Sequence, residues 1–128
     1  MRARHLLLAL VVLLGACASL EFKNAQIQDT LYFGLSKPSG SISDQEWQAF
    51  VDAQVTPRFP DGLTQWEAKG QWREAGKATE KEASRVLQII HPDNPEAESK
   101  IQAIRQSYRN EFMQTSVLRV KSGVVVEY

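Results

Sequence analysis

The chain is short of almost everything that metal, redox or nucleic-acid chemistry draws on. It has one cysteine, Cys17, and two histidines, His5 and His91. Those three side chains fall short of a zinc ligand set, and a single cysteine excludes an internal disulfide. Neither sign of charge dominates: 15 basic residues face 15 acidic ones. No strong field therefore gathers nucleic acid. There is no glycine-rich phosphate loop, no nucleophile elbow, no repeat and no low-complexity tract. No apolar run reaches the roughly 20 residues a membrane-spanning helix needs. What remains is a 128-residue chain, 43% hydrophobic, with enough apolar material for one domain and a core.

The longest apolar or small run, Leu6 to Ala18, follows the basic start Arg2, Arg4 and His5. That is the pattern of an export signal. It ends in Leu14-Gly15-Ala16-Cys17, which resembles the lipobox of bacterial lipoproteins, where the cysteine becomes the acylated first residue. The resemblance implies residues 1–16 as a signal peptide, a palmitate-type lipid on Cys17, and residues 17–28 as a tether. Ala16-Cys17-Ala18 also reads as a cleavage site for ordinary signal peptidase, which would discard the cysteine. Ala18 after the cysteine, by resemblance to the lipoprotein sorting rule, points to the outer membrane and a domain facing the periplasm. Loss of Arg2 and Arg4 takes the 15 basic residues to 13 against 15 acidic, a net charge of −2.

Beyond the tether, Asp29 to Leu35 alternates, with Leu31, Phe33 and Leu35 on one face, and reads as a half-buried strand. Ser43 and Glu46 form a capping box that starts a helix, with Ile42 and Trp47 at the staple positions. Trp47, Phe50, Val51 and Val55 form its apolar stripe, with Gln54 interrupting it. Pro57 is expected to push Thr56 into an extended conformation and end the helix. Pro60-Asp61-Gly62 is a turn. Thr64, Trp66 and Ala68 alternate as a second strand, broken near Gly70. A polar connection spans Glu74 to Lys81, and Arg85 to His91 is a third apolar run. Asn94 caps a last helix with Pro95 at its first position. Its buried stripe is Ala97, Ile101, Ile104, Tyr108 and Phe112. Ser116 to Tyr128 closes the chain as a strand, bulged at Gly123.

The order β-α-β-β-α-β predicts an α+β, ferredoxin-like domain over residues 29–128, two helices covering one face of a four-stranded antiparallel sheet. One segment has two readings. Ala83, Val86, Leu87 and Ile90 also satisfy helical spacing. His91-Pro92-Asp93-Asn94-Pro95-Glu96-Ala97, with Tyr108 downstream, resembles the loop and third helix of a J-domain, and a helix over Ala83 to Ile90 would extend that resemblance. That reading leaves the flanking strands without partners, so the strand is preferred.

Several stretches together are similar to a family of small bacterial lipoproteins known only as a domain of unknown function. They are Asp29-Thr30-Leu31-Tyr32-Phe33-Gly34, Thr56 to Thr64, Gly70-Gln71-Trp72-Arg73, Glu82 to Leu87, and Gln114 to Arg119. The resemblance implies no reaction, cofactor or metal.

Candidate sites follow from the predicted topology. The Thr56–Gly62 loop, the end of the third strand at His91 and the start of the first at Asp29 should share one sheet edge. Arg58, Asp61, His91 and Asp29 are then within mutual reach. An arginine fork binds carboxylate or phosphate, and a His–Asp pair can serve as base and orienter. Equally, an arginine between prolines ties a loop to backbone carbonyls, and Asp61 is an ordinary turn former. Trp72 and Glu82 belong at the opposite, hairpin edge, as an interface anchor and a carboxylate, with burial of Trp72 against the sheet preferred. Two functions follow. One is a lipid-anchored binding module, self-associating through its uncovered sheet face. The other is a small envelope enzyme acting on a small anionic molecule through Arg58, with Glu82 or His91 carrying the proton.

Overall fold

The computed structural model describes residues 25–128; the expected signal peptide, the expected lipid-bearing Cys17 and most of the expected tether lie outside them. Strand β1 runs Ala25–Gly34, four residues earlier than its apolar alternation predicts. Gln26 and Gln28 are strand residues pointing to the uncovered face, which is why they look like tether. Two short ladders, β2 (Ser36–Lys37) and β3 (Gly40–Ser41), pair with each other. Helix α1 (Asp44–Phe50) starts at the expected cap: the Ser43 side chain accepts from the Glu46 amide, and the Glu46 carboxylate accepts from the Ser43 amide. The Glu46 carboxyl is held down at about 2, first by its hydrogen bond from Lys37 and then by the Ser43 amide.

α1 then widens into a π turn over Val51–Val55, closed by the Thr56 amide donating to the Val51 carbonyl at 3.0 Å. Val51 and Val55, at its two ends, are both buried in the core. Thr56 is helical, with φ −53° and ψ −43°, and not extended as Pro57 leads one to expect. The regular helix ends because Pro57 has no N–H to offer the next turn, and the Arg58 and Phe59 amides close one last turn on the Val55 carbonyl at 3.0 Å.

Strand β4 (Thr64–Trp72) runs through Gly70 without a break, and β5 (Glu80–His91) is extended over its whole length. Residues 83–90 are therefore strand, and the J-domain resemblance ends there. Helix α2 (Pro95–Phe112) begins at the Asn94 cap and buries all five residues of its expected stripe. Strand β6 (Leu118–Val125) pairs with β1 in unbroken register, Ile27 opposite Gly123, so there is no bulge at that glycine.

The sheet order is β4-β5-β1-β6, every pair antiparallel. Both helices cover one face, giving the ferredoxin-like arrangement. Beneath them the core is dense in rings. Phe33, Trp47, Phe50, Tyr108 and Phe112 pack with neighbouring centroids 4.7–6.1 Å apart, the range in which aromatic pairs add to simple burial. Tyr108 is fully buried, and its hydroxyl donates to the Gly34 carbonyl at 2.7 Å. Burial, followed by the charges of Glu82 and Glu111, pushes its pKa above the ordinary phenol value.

Candidate functional site

The edge predicted to collect Arg58, Asp61 and His91 does collect them. All three line a hollow of about 300 Å³ between the 56–63 loop and the start of α2, together with Lys100 and Glu96. Each is nevertheless engaged differently from what an anion site needs. The Arg58 guanidinium donates through Nη1 to the Gln54 carbonyl at 2.7 Å and to the Gln54 side chain at 3.0 Å. It closes the end of the π turn, the structural role an arginine between prolines also admits. Lys100 is paired with Glu96 at 2.7 Å, which lowers the carboxyl pKa of Glu96. Asp61 is exposed, at the turn with Gly62 (φ +136°).

His91 points inward, against the ring of Phe59 at 5.5 Å. Its Nε2 lies 2.7 Å from Asp29 Oδ2, and its Nδ1 lies 2.8 Å from the Pro92 carbonyl oxygen. With both ring nitrogens engaged, neither is left to move a proton in the hollow.

Asp29 is the centre of a larger network. It is fully buried on the helix-covered face, with His91 diagonal to it on β5 and Arg119 diagonal on β6. Arg119 grips it with Nε at 2.6 Å and Nη2 at 2.8 Å. The same guanidinium grips Glu98 in the first turn of α2, at 2.6 and 2.8 Å. The arginine is thus clamped between two carboxylates, one buried and one at the rim, a geometry suited to its planar fork. Arg119 holds the Glu98 carboxyl far below the usual range, and Glu98 and then Asp29 raise the guanidinium in return. Every strong acceptor here has its donor, so the network is a strut joining β5, β1, β6 and α2.

The opposite edge is built differently. Glu82 on β5 projects onto the uncovered face, over Gly34 of β1. A Cβ at position 34 would stand 2.5 Å from Glu82 Oε1, so glycine there is what admits the carboxylate. Oε1 accepts from the Ser36 amide at 3.1 Å; Oε2 has no partner among the described residues. The half-buried carboxylate sits in a hollow of about 490 Å³, walled by Tyr32, Trp72 and Leu118 and edged by Ser84, Gln114 and Ser116. It is the sole charged group in that lining. Trp72 stands 57% exposed beside it and is not folded against the sheet, contrary to the preferred expectation. Strand alternation puts Trp66 and Trp72 on the uncovered face, and β4 is an edge strand with nothing beyond it to bury them. A larger hollow of about 630 Å³ lies near Lys37, Glu46, Glu111 and Phe112; its lysine is paired with Glu46.

The family model described as a protein of unknown function, DUF3574, matches residues 28–128. The chain belongs to DUF3574. The match spans both edges and the Asp29 network. No curated protein matches the sequence. Among solved structures, a phage SAM lyase in complex with S-methyl-5′-thioadenosine is similar at a TM-score of 0.58 and 14% identity, over 80% of this chain and 92% of that one. CutA from Synechococcus elongatus is similar at 0.52 and 12%, over 78% of each. Identities this low establish that the DUF3574 chain shares their fold.

Of the residues singled out from sequence, Arg58, Asp61 and His91 share one edge and Trp72 and Glu82 the other. Arg119 and Glu98 were not foreseen. The signal for Arg119 was present: it follows buried Val117 by two positions, which puts a cation on the core face of a strand.

Proposed function

We propose that this DUF3574 chain is a lipid-anchored cell-envelope module that binds a small organic cation carrying a flat or apolar group. The reading rests on one observation: Glu82 holds an unpaired carboxylate oxygen in a hollow whose other walls are aromatic and neutral. A lone carboxylate beside Tyr32 and Trp72 favours an ammonium or sulfonium, by charge and by the ring faces. The internal bonds of Arg58 and His91 count against the anionic-substrate enzyme. Anchoring is supported by the basic start, the apolar run and Leu14-Gly15-Ala16-Cys17. Mass spectrometry of the processed protein should find acyl chains on an N-terminal Cys17; an unmodified chain beginning at Ser19 would end that part of the proposal.

The phage lyase of the same fold suggests two probes that share the methylthioadenosine unit. S-adenosylmethionine carries a sulfonium and an aminocarboxypropyl tail with its own ammonium and carboxylate; S-methyl-5′-thioadenosine has neither the sulfonium nor the tail. Titration followed by tryptophan fluorescence should show the cation binding more tightly. Glu82→Gln should weaken the cation roughly tenfold or more, the size of a charged hydrogen bond, and leave the neutral probe unchanged. Gly34→Ala, whose methyl group displaces the carboxylate, should act in the same direction with the fold retained. Binding of neither probe at millimolar concentration, or an undiminished preference in Glu82→Gln, refutes the site.

A further inference from the structure

The Glu82 hollow is a trough floored by small residues. Gly34 on β1 sits opposite Ser84 on β5, and Gly70 on β4 sits opposite Glu82. Its two rings stand at its ends, since Tyr32 pairs with Val86 and Trp72 with Glu80. Six residues of β5 separate those rows, about 20 Å of strand. That is too far apart at the backbone to enclose one methylated ammonium as an aromatic cage does. The middle of the trough is polar.

Gln114, just beyond α2, supplies a second polar group there. Its Nε2 donates to the Ser36 carbonyl at 2.6 Å and to the Phe112 carbonyl at 3.0 Å. Two carbonyls fix which end of the amide carries the nitrogen, because only N–H donates. Oε1 is the other end, and it has no partner among the described residues. Ser36 links this amide to the carboxylate: its own amide donates to Glu82 Oε1 at 3.1 Å, and its carbonyl accepts from Gln114. Joined through one residue's backbone, the two side chains stand no more than about 10 Å apart.

We infer that the ligand of this hollow is a primary ammonium on an aromatic or apolar group, and that Gln114 selects it over methylated cations. The inference rests on the Glu82 reading and narrows it. The two unfilled positions, Glu82 Oε2 and Gln114 Oε1, are oxygens that accept and cannot donate. A primary ammonium brings three N–H donors: one for the carboxylate, one for the amide oxygen, and one that the Ser84 hydroxyl on the floor can take. A sulfonium or a trimethylammonium brings the same charge and no donor. Charge attracts both classes of cation; the acceptors separate them, because N–H bonds with a charged partner are the strong ones.

The test uses the full chain in detergent and titration calorimetry at neutral pH. The probes are 2-phenylethylamine, its N,N,N-trimethyl derivative and the uncharged 2-phenylethanol. The amine should bind roughly tenfold or more tighter than the trimethyl derivative, the size of a charged hydrogen bond, and the alcohol weakest. Gln114→Leu should weaken the amine roughly tenfold and leave the trimethyl derivative where it was. A side chain that merely braced Ser36 would lower both together. Gln114→Glu loses the bonds to Ser36 and Phe112 but keeps an acceptor, so the amine should keep its advantage. The order of the probes on the parent chain stands as a test even if a variant fails to fold. A trimethyl derivative bound as tightly as the amine overturns the inference and leaves the Glu82 reading standing. So does an amine indifferent to Gln114→Leu, or a loss shared equally by both cations. Binding of neither cation at millimolar concentration brings down both.

Discussion

Replacing Asp29 with alanine should destabilise the domain by about 3–5 kcal/mol, the cost of breaking a buried ion pair from one side. The reason is what is left behind. Arg119 and His91 are held on the core side of the sheet by this carboxylate, and His91, 3% exposed, has no path to water. Arg119 keeps Glu98, but His91 Nε2 keeps nothing. Thermal unfolding followed by circular dichroism reads the effect: at about 4–8 °C per kcal/mol for a domain near 100 residues, the midpoint should fall by tens of degrees. Asp29→Asn should cost less, because the amide oxygen still accepts from Arg119 and the amide group still faces His91. An alanine variant as stable as the parent would show that the network contributes nothing to folding.

Phe50→Ala is expected to cost a similar amount, about 3–5 kcal/mol, by a different route. Phe50 is 1% exposed and touches four other rings, with Tyr108 nearest at 5.0 Å between centroids. Removing it opens a cavity between α1, α2 and the sheet that stiff aromatic neighbours cannot collapse to fill. Trp72→Ala removes a larger side chain yet should stay within about 0.5 kcal/mol, since that ring is solvent-exposed and packs on no core. Urea unfolding of the two variants side by side separates packing from mere size. Equal losses would mean that Trp72 is buried in solution, against the architecture described.

The fold was legible because its signals were local. Leu31 and Phe33 alternate, Ser43 and Glu46 cap, and Ala97, Ile101, Ile104, Tyr108 and Phe112 recur at helical spacing; each stands as those patterns dictate. Residues 83–90 fit two periods, and what decides them is non-local: β1 on one side and β4 on the other supply ladders that a helix would leave open. The glycines misled. Gly70 and Gly123 looked like breaks, but both lie in edge strands, which tolerate a missing side chain, and neither carries a positive φ.

The site was half legible. Chain order places Arg58, Asp61 and His91 at one edge, and that follows from topology alone. Whether they are free to bind depends on Gln54 and Pro92, whose carbonyls accept from them or lie against them, and a backbone carbonyl leaves no mark in a sequence. Asp29 and Arg119, far apart in the chain, become neighbours only once β1 and β6 pair. The alternation that buries Leu31 and Phe33 does put Asp29 on the same face. A carboxylate there calls for a cation, and that much could be read in advance.

The position of β1 also sets the order of events as the chain forms. Its outer neighbour is the last strand, and Arg119 reaches Asp29 across ninety residues of sequence. The β4–β5 hairpin can zip locally, but the first strand made must wait for the final one before its acid is neutralised. Long-range pairing of this kind slows folding. A chain emerging N-terminus first can pair β4, β5 and β1 once His91 is made, but it cannot add the outer strand beside β1 until synthesis is almost complete, and a copy truncated before Arg119 would leave Asp29 without its arginine partner.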